Sequence, residues 1–203
     1  TFTYDPGLPI VVHNTGVDTQ ALRPAPEPRE HRLCFVGYFG HAPNVEAMTH
    51  FVHRVLPRIR AQVQDVTLSI IGSSPGPEIQ ALAAVPGVEV TGRVPEIAPH
   101  VHRALVYVVP LRQGAGIRGK ILEAWALGRA VVTTSVGMAG LRAQSGTHLL
   151  CADDDQEFAA AVVRLLRDDA LRGQIVEQAL RRVRADYSWE AKAAEHARLW
   201  REL

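Results

Sequence analysis

Six short apolar runs, separated by segments of helical spacing, constrain this chain more than any other feature. The runs are "LCFVG" (33–37), "VTLSIIG" (66–72), "VEVTG" (88–92), "ALVYVVP" (104–110), "AVVTT" (130–134) and "HLLCA" (148–152). Strands that are apolar throughout and alternate with helices belong to a parallel sheet covered on both faces. Between them, residues 44–60 place Val45, Met48, Val52, Val55, Leu56 and Ile59 on one stripe, with Pro57 as a kink or stop. Residues 156–167 repeat the pattern with Phe158, Val162, Leu165 and Leu166. The expected fold is α/β: a Rossmann-like, doubly wound, mainly parallel six-stranded sheet with helices on both faces. Such sheets bind ligands at the carboxyl ends of their strands.

The 203 residues suffice for one domain with a sizeable core. Residues 1–30 read as an incoming strand, "IVVHN", and a semi-rigid linker containing Pro24, Pro26 and Pro28. Residues 31–203 read as the domain itself, ending in the Ala-rich helix "DYSWEAKAAEHARLW" with Ser188 as its N-cap. With 22 Lys and Arg against 21 Asp and Glu, the net charge of +1 gives no global reason to bind nucleic acid or an anionic membrane. The apolar stretch around "ALVYVVPL" is too short to span a bilayer, so no transmembrane segment is expected. No signal peptide opens the chain, although "TFTYDPG" reads as a start within something longer. Cys34 and Cys151 lie in apolar runs and read as free buried thiols of a reducing cytosol, with a disulfide as the alternative.

The chemistry gathers at "GAGIRGKILEAWALGRAVV" (114–132). Gly114 and Gly116 form a flexible loop after a strand, a helix spans roughly 117–127, and Gly128 ends it. Arg118 and Lys120 stand at the helix start, where unpaired N–H groups and the dipole already favour an anion. Two readings stay open: a phosphate between the cations, or a plain Lys120–Glu123 surface pair with Arg118 solvated. A second glycine cluster, "TTSVGMAGL", carries Gly137 and Gly140, and "VGYFGHAPN", with Gly37, supplies a third wall. None of these is G-x-G-x-x-G, which speaks against a dehydrogenase. "DDD" (153–155) reads as a helix cap rather than a metal-binding cluster. His50 with His53, and His100 with His102, lack a third ligand, so no metal site is expected.

"PLRQGAGIRGKILEAWALGRAVVTTSVGMAGL", with "FVGYFGHAPNVEAM", "VEVTGRVPEIAPHVHRA", "HNTGVD" and the terminal "YSW", resembles the carboxyl-terminal half of retaining glycosyltransferases of family 4, which have the GT-B fold. The resemblance runs over roughly residues 8–200. It implies a domain that binds a nucleotide-sugar donor, UDP- or GDP-linked, without a further cofactor. It also implies that the acceptor, a glycan or lipid, is held by an N-terminal domain absent from this chain, which alone would be inactive. Residue by residue, Glu123 matches the carboxylate that holds the ribose hydroxyls, and Arg118 and Lys120 match cations near the diphosphate. Gly137, Met138 and Gly140 match a loop whose N–H groups approach the donor, and Val94 matches a backbone contact to the base. Gly37, Gly114 and Gly116 join the donor-binding set. Work in the cytoplasm, or at the inner face of a membrane, follows from the same resemblance.

The sequence departs from the family pattern at several positions. Ala115 replaces the first glutamate of an E-x7-E pair, Tyr38 and Pro43 replace an Arg and a Lys, and Ala139 replaces a glutamate. These losses sustain a competing reading, a non-catalytic transferase-like module that binds a nucleotide or a protein partner. The retained Arg118, Lys120 and Glu123 oppose it.

Overall fold

Each of the six apolar runs forms a strand: β1 (Arg32–Val36), β2 (Thr67–Ile71), β3 (Val88–Gly92), β4 (Val106–Val109), β5 (Ala130–Thr133) and β6 (Leu150–Cys151). The structure, a computed structural model, describes residues 15–114 and 119–202, the last by its backbone alone. "IVVHN", Ala115, Gly116 and Arg118 lie outside the described residues. All pairings are parallel, in the order β3-β2-β1-β4-β5-β6. The chain therefore leaves β1 in one direction for β2 and returns on its other side as β4. This reversal opens a crevice at the carboxyl ends of β1 and β4.

Alternate side chains of each strand enter opposite layers. Leu33 and Phe35 of β1, with Val106 and Val108 of β4, face one apolar cluster that also holds Met48, Phe51 and Phe158. Cys34, Tyr107 and Val109 face the other, with Ile121, Leu122 and Trp125. The first layer is built from α1 (Ala42–His50), α2 (Leu56–Arg60), α3 (Pro77–Ala81) and α7 (Asp155–Arg167). The second is built from α4 (Ala98–His102) and α5 (Gly119–Ala126). A four-residue turn, α6 (Ser135–Met138), follows β5. Helix α8 (Asp169–Asp186) serves both layers, placing Ile175 in the first and Ala179 and Val183 in the second.

Pro57 does not stop the helical run at 44–60, which continues through it to Arg60. A π-helical segment, Phe51–Val55, precedes it, and Pro57 falls in the first turn of α2. The wider π turn accommodates the ring, and the first turn of a helix has no use for the missing N–H. His100 and His102 lie within α4, where His102 Nε2 meets the Arg23 carbonyl oxygen at 3.0 Å. The thiols are both free, but only Cys34 is buried; Cys151, at the sheet edge, is half-buried. Burial pushes the Cys34 thiol well above its ordinary range, against the opposing pull of Arg129.

Two arginines fasten the proline-rich segment. Buried Arg129 donates to the carbonyl oxygens of Ala25, Pro26, Val101 and His102, and Arg172 pairs with Glu27 at 2.8 Å. Further along, Val17 N–H donates to Tyr187 O at 2.7 Å, beside the start of α9 (Trp189–Glu202). Ser188 caps α9, accepting from Ala191 N–H at 3.1 Å. This helix packs on α8 at the periphery, with Trp189 and Trp200 53% and 71% exposed. Among the described residues no helix is long and apolar enough to cross a membrane.

Candidate functional site

The two walls of the crevice are the turn from β1 into α1 and the loop from β4 into α5. The first is packed tightly against its neighbour: Gly37 N–H donates to Ile71 O at 2.9 Å, and Phe39 N–H to Ser73 O at 3.0 Å. A Cβ on Gly72, whose φ is +148°, would stand 1.7 Å from Gly37 O, so only glycine allows this approach.

Lys120, in the first turn of α5, spans the crevice. Its ammonium donates to Asn44 Oδ1 at 2.8 Å and lies 4.1 Å from the centre of the Phe35 ring. Asn44 belongs to α1, on the opposite layer, and is 7% exposed; its Nδ2 donates to Tyr38 O at 2.8 Å. The cation is thus fixed between the two helix starts that flank the strand reversal. Lys120 is not simply one half of a surface pair with Glu123.

Glu123 follows one turn later, half-buried between residues that are wholly buried. Burial pushes its carboxyl above the ordinary range, and the charge of Lys120 opposes that shift only in part. Among the described residues no group hydrogen-bonds this carboxylate. A partly desolvated acceptor without a donor is suited to ligand hydroxyls. Tyr107, on β4 beneath, is fully buried, and burial raises its phenol first, then the neighbouring Cys34 and Glu123.

The remaining site residues divide. Gly114, with φ +108°, ends the described part of the β4–α5 loop; Gly116 and Arg118 fall in the undescribed part. Val94 follows β3 and packs against the second apolar cluster, on the same side of the sheet as Glu123. Gly140 has φ +79° in the loop after α6. Gly137 and Met138 differ from what the resemblance implies for this loop. Their N–H groups are already taken, Gly137 by Thr134 Oγ1 at 3.0 Å and Met138 by Thr134 O at 3.0 Å. A Cβ at Gly137 would lie 2.1 Å from Thr133 Oγ1, so the glycine is required by packing against β5.

The three aspartates have three tasks. Asp154 caps α7, accepting from Gln156 and Glu157 N–H, and Asp153 accepts from Ser135 N–H at 2.8 Å. Asp155 meets His50 Nε2 at 2.7 Å and Arg112 Nη1 at 3.4 Å, while Arg112 Nε lies 3.9 Å from Glu46. This cluster ties the β4–α5 loop to α1 and α7. Among the described residues no three His, Cys, Asp or Glu side chains are arranged to hold a metal ion.

A cleft of about 690 Å³ adjoins the crevice along α1, lined by Phe39, Val45, Glu46, His50 and Gln113 among others. Another, of about 750 Å³, lies between Arg142 and α9. Neither is lined by Lys120 or Glu123, which stand at the strand reversal itself. Asn44 and Arg112 are absent from the sequence-derived set. Asn44 had a signal: it sits four residues before Met48, on the apolar stripe, where a polar residue requires a partner. Arg112 had none, because its partners lie on distant segments.

Sheet order and crevice define a Rossmann-like α/β domain of the kind found in GT-B glycosyltransferases. The chain belongs to the family Glycosyl transferases group 1, which matches residues 30–168. Among curated proteins it is 29% identical over 196 residues to the phosphatidyl-myo-inositol mannosyltransferase of Mycolicibacterium smegmatis, covering 91% of this chain and 50% of that one. It is also 29% identical over 220 residues to the glycogen synthase of Mycobacterium tuberculosis, covering 98% and 50%. The chain thus spans about half the length of these relatives. Anabaena HepE, crystallised with UDP, superposes with a TM-score of 0.76 at 14% identity, over 93% of this chain and 56% of that one. The C-terminal domain of LpcC, a group 1 glycosyl transferase of Francisella tularensis, gives 0.70 at 18% identity, over 86% of this chain and all of that one.

Proposed function

We propose that this chain is the carboxyl-terminal, donor-binding half of a retaining family 4 glycosyltransferase, using a UDP- or GDP-linked sugar and working in the cytoplasm. The observation that carries the reading is the Lys120 ammonium, fixed across the strand reversal with the half-buried Glu123 one turn further on. In this reading Glu123 accepts hydrogen bonds from the ribose hydroxyls. Lys120 and Arg118 face the diphosphate and stabilise the charge that grows on it as it leaves, without a metal ion. Val94 offers backbone to the base, and Gly37, Gly114, Gly116 and Gly140 leave room for the donor. The acceptor, a glycan or lipid, is bound by a separate N-terminal half. HepE, crystallised with UDP, supports a nucleotide as the ligand of this fold.

Ala115, Ala139 and the occupied N–H groups of Gly137 and Met138 favour the second reading, a transferase-like module without turnover. Calorimetry with uridine, guanosine and their diphosphates tests the first. A diphosphate is expected to bind more tightly than its nucleoside, with the difference shrinking as salt rises. Indifference to all four ligands refutes it.

A further inference from the structure

Asn44 has no place in the donor contacts above, yet its geometry is tightly specified. The amide is 7% exposed and lies between one group that only accepts and one that only donates, the Tyr38 carbonyl and the Lys120 ammonium. Those neighbours fix its orientation, Nδ2 towards the carbonyl and Oδ1 towards the cation. On the other side, the ammonium rests 4.1 Å from the Phe35 ring centre. Amide oxygen and ring face both attract a cation, and neither carries a net charge. An aspartate of the same shape would hold Lys120 as firmly, but it would cancel the charge and set a carboxylate where an anion arrives.

We propose that Asn44 is a positioning residue that holds the Lys120 ammonium at the strand reversal without neutralising it, so that it meets a diphosphate preorganised. The proposal rests on the donor-binding reading.

The test is calorimetry with UDP, uridine and inorganic pyrophosphate on the wild type, Asn44→Leu, Asn44→Asp, Lys120→Met and the Asn44→Leu/Lys120→Met double variant, with thermal unfolding to establish that each is folded. Asn44→Leu is expected to weaken UDP and pyrophosphate about tenfold and leave uridine within about twofold, with no further loss in the Lys120→Met background. Asn44→Asp is expected to weaken both phosphates as well. An equal loss with and without Lys120, or an Asn44→Asp variant that binds UDP as tightly as the wild type, overturns the proposal. Should Asn44→Leu not fold, the near-isosteric Asn44→Asp decides alone. A wild type that binds pyrophosphate but not UDP defeats the nucleotide reading while still testing Asn44, and one that binds neither defeats both.

Discussion

Glu123 stands partly out of water on a helix whose neighbouring side chains, Leu122 and Ala124, are wholly buried. Its carboxyl is raised mainly by burial, so its ionisation is easier in the unfolded chain than in the folded one. The stability linked to such a group is complete below the ordinary glutamate pKa and is lost as pH rises through the folded value. Above the ordinary glutamate pKa this carboxyl therefore weakens the empty protein. Glu123→Gln is expected to raise the thermal midpoint near pH 7, by the equivalent of about 0.5–2 kcal/mol, and to change little in acid. The same substitution is expected to weaken uridine and UDP alike, by about 1.5–3 kcal/mol, since it removes a charged acceptor. Calorimetry and melting curves across pH measure both. A Glu123→Gln protein that is less stable at neutral pH would mean that the carboxylate serves the fold rather than a ligand.

The aspartate run shows how one stretch serves several elements. Asp154→Ala removes the cap of α7 and is expected to cost about 1 kcal/mol, whether or not manganese is present. For Asp155, burial raises the carboxyl, but the hydrogen bond and charge of His50, with Arg112 beyond, outweigh it and hold the group below its usual range. Its stabilisation is present above the unfolded pKa and is lost as pH falls through the folded one. Asp155→Asn is therefore expected to lower the melting temperature at neutral pH, with the gap to the wild type closing in acid. A gap that persists in acid assigns the loss to packing. The strands and the helices α5 and α7 were legible in the sequence because their apolar spacing determines which face is buried, whereas α8 was not read from it. The cap of α7 was legible because capping is local. The π turn before Pro57 was not, since the pattern marks an obstacle but not how backbone yields around it. The Lys120–Asn44 bridge was hidden as well: its partners are 76 positions apart and meet only through the strand reversal.

For the whole molecule, the family relationship and the half-length match to its relatives bear on activity. On the proposed reading, in which this chain binds donor and the acceptor is held elsewhere, donor is not turned over, because positioning the reactants is worth roughly 7–11 kcal/mol of barrier. The expected result is no transfer and no useful donor hydrolysis by the purified 203-residue chain, read by release of free nucleotide. Robust release refutes this division of labour. The position of β1 between β2 and β4 has a consequence in time. A growing chain can assemble β1, β2 and β3 once residue 92 is made, yet at that moment there is no crevice, because β4 and Lys120 have not been synthesised. Pairing of Cys34 with Tyr107 is among the most non-local contacts of the sheet, and such contacts form slowly. Trp125 is buried with α5 while Trp189 and Trp200 stay exposed, so its fluorescence reports that event. On refolding, UDP binding is expected to return in the same kinetic phase as Trp125 burial, never ahead of it.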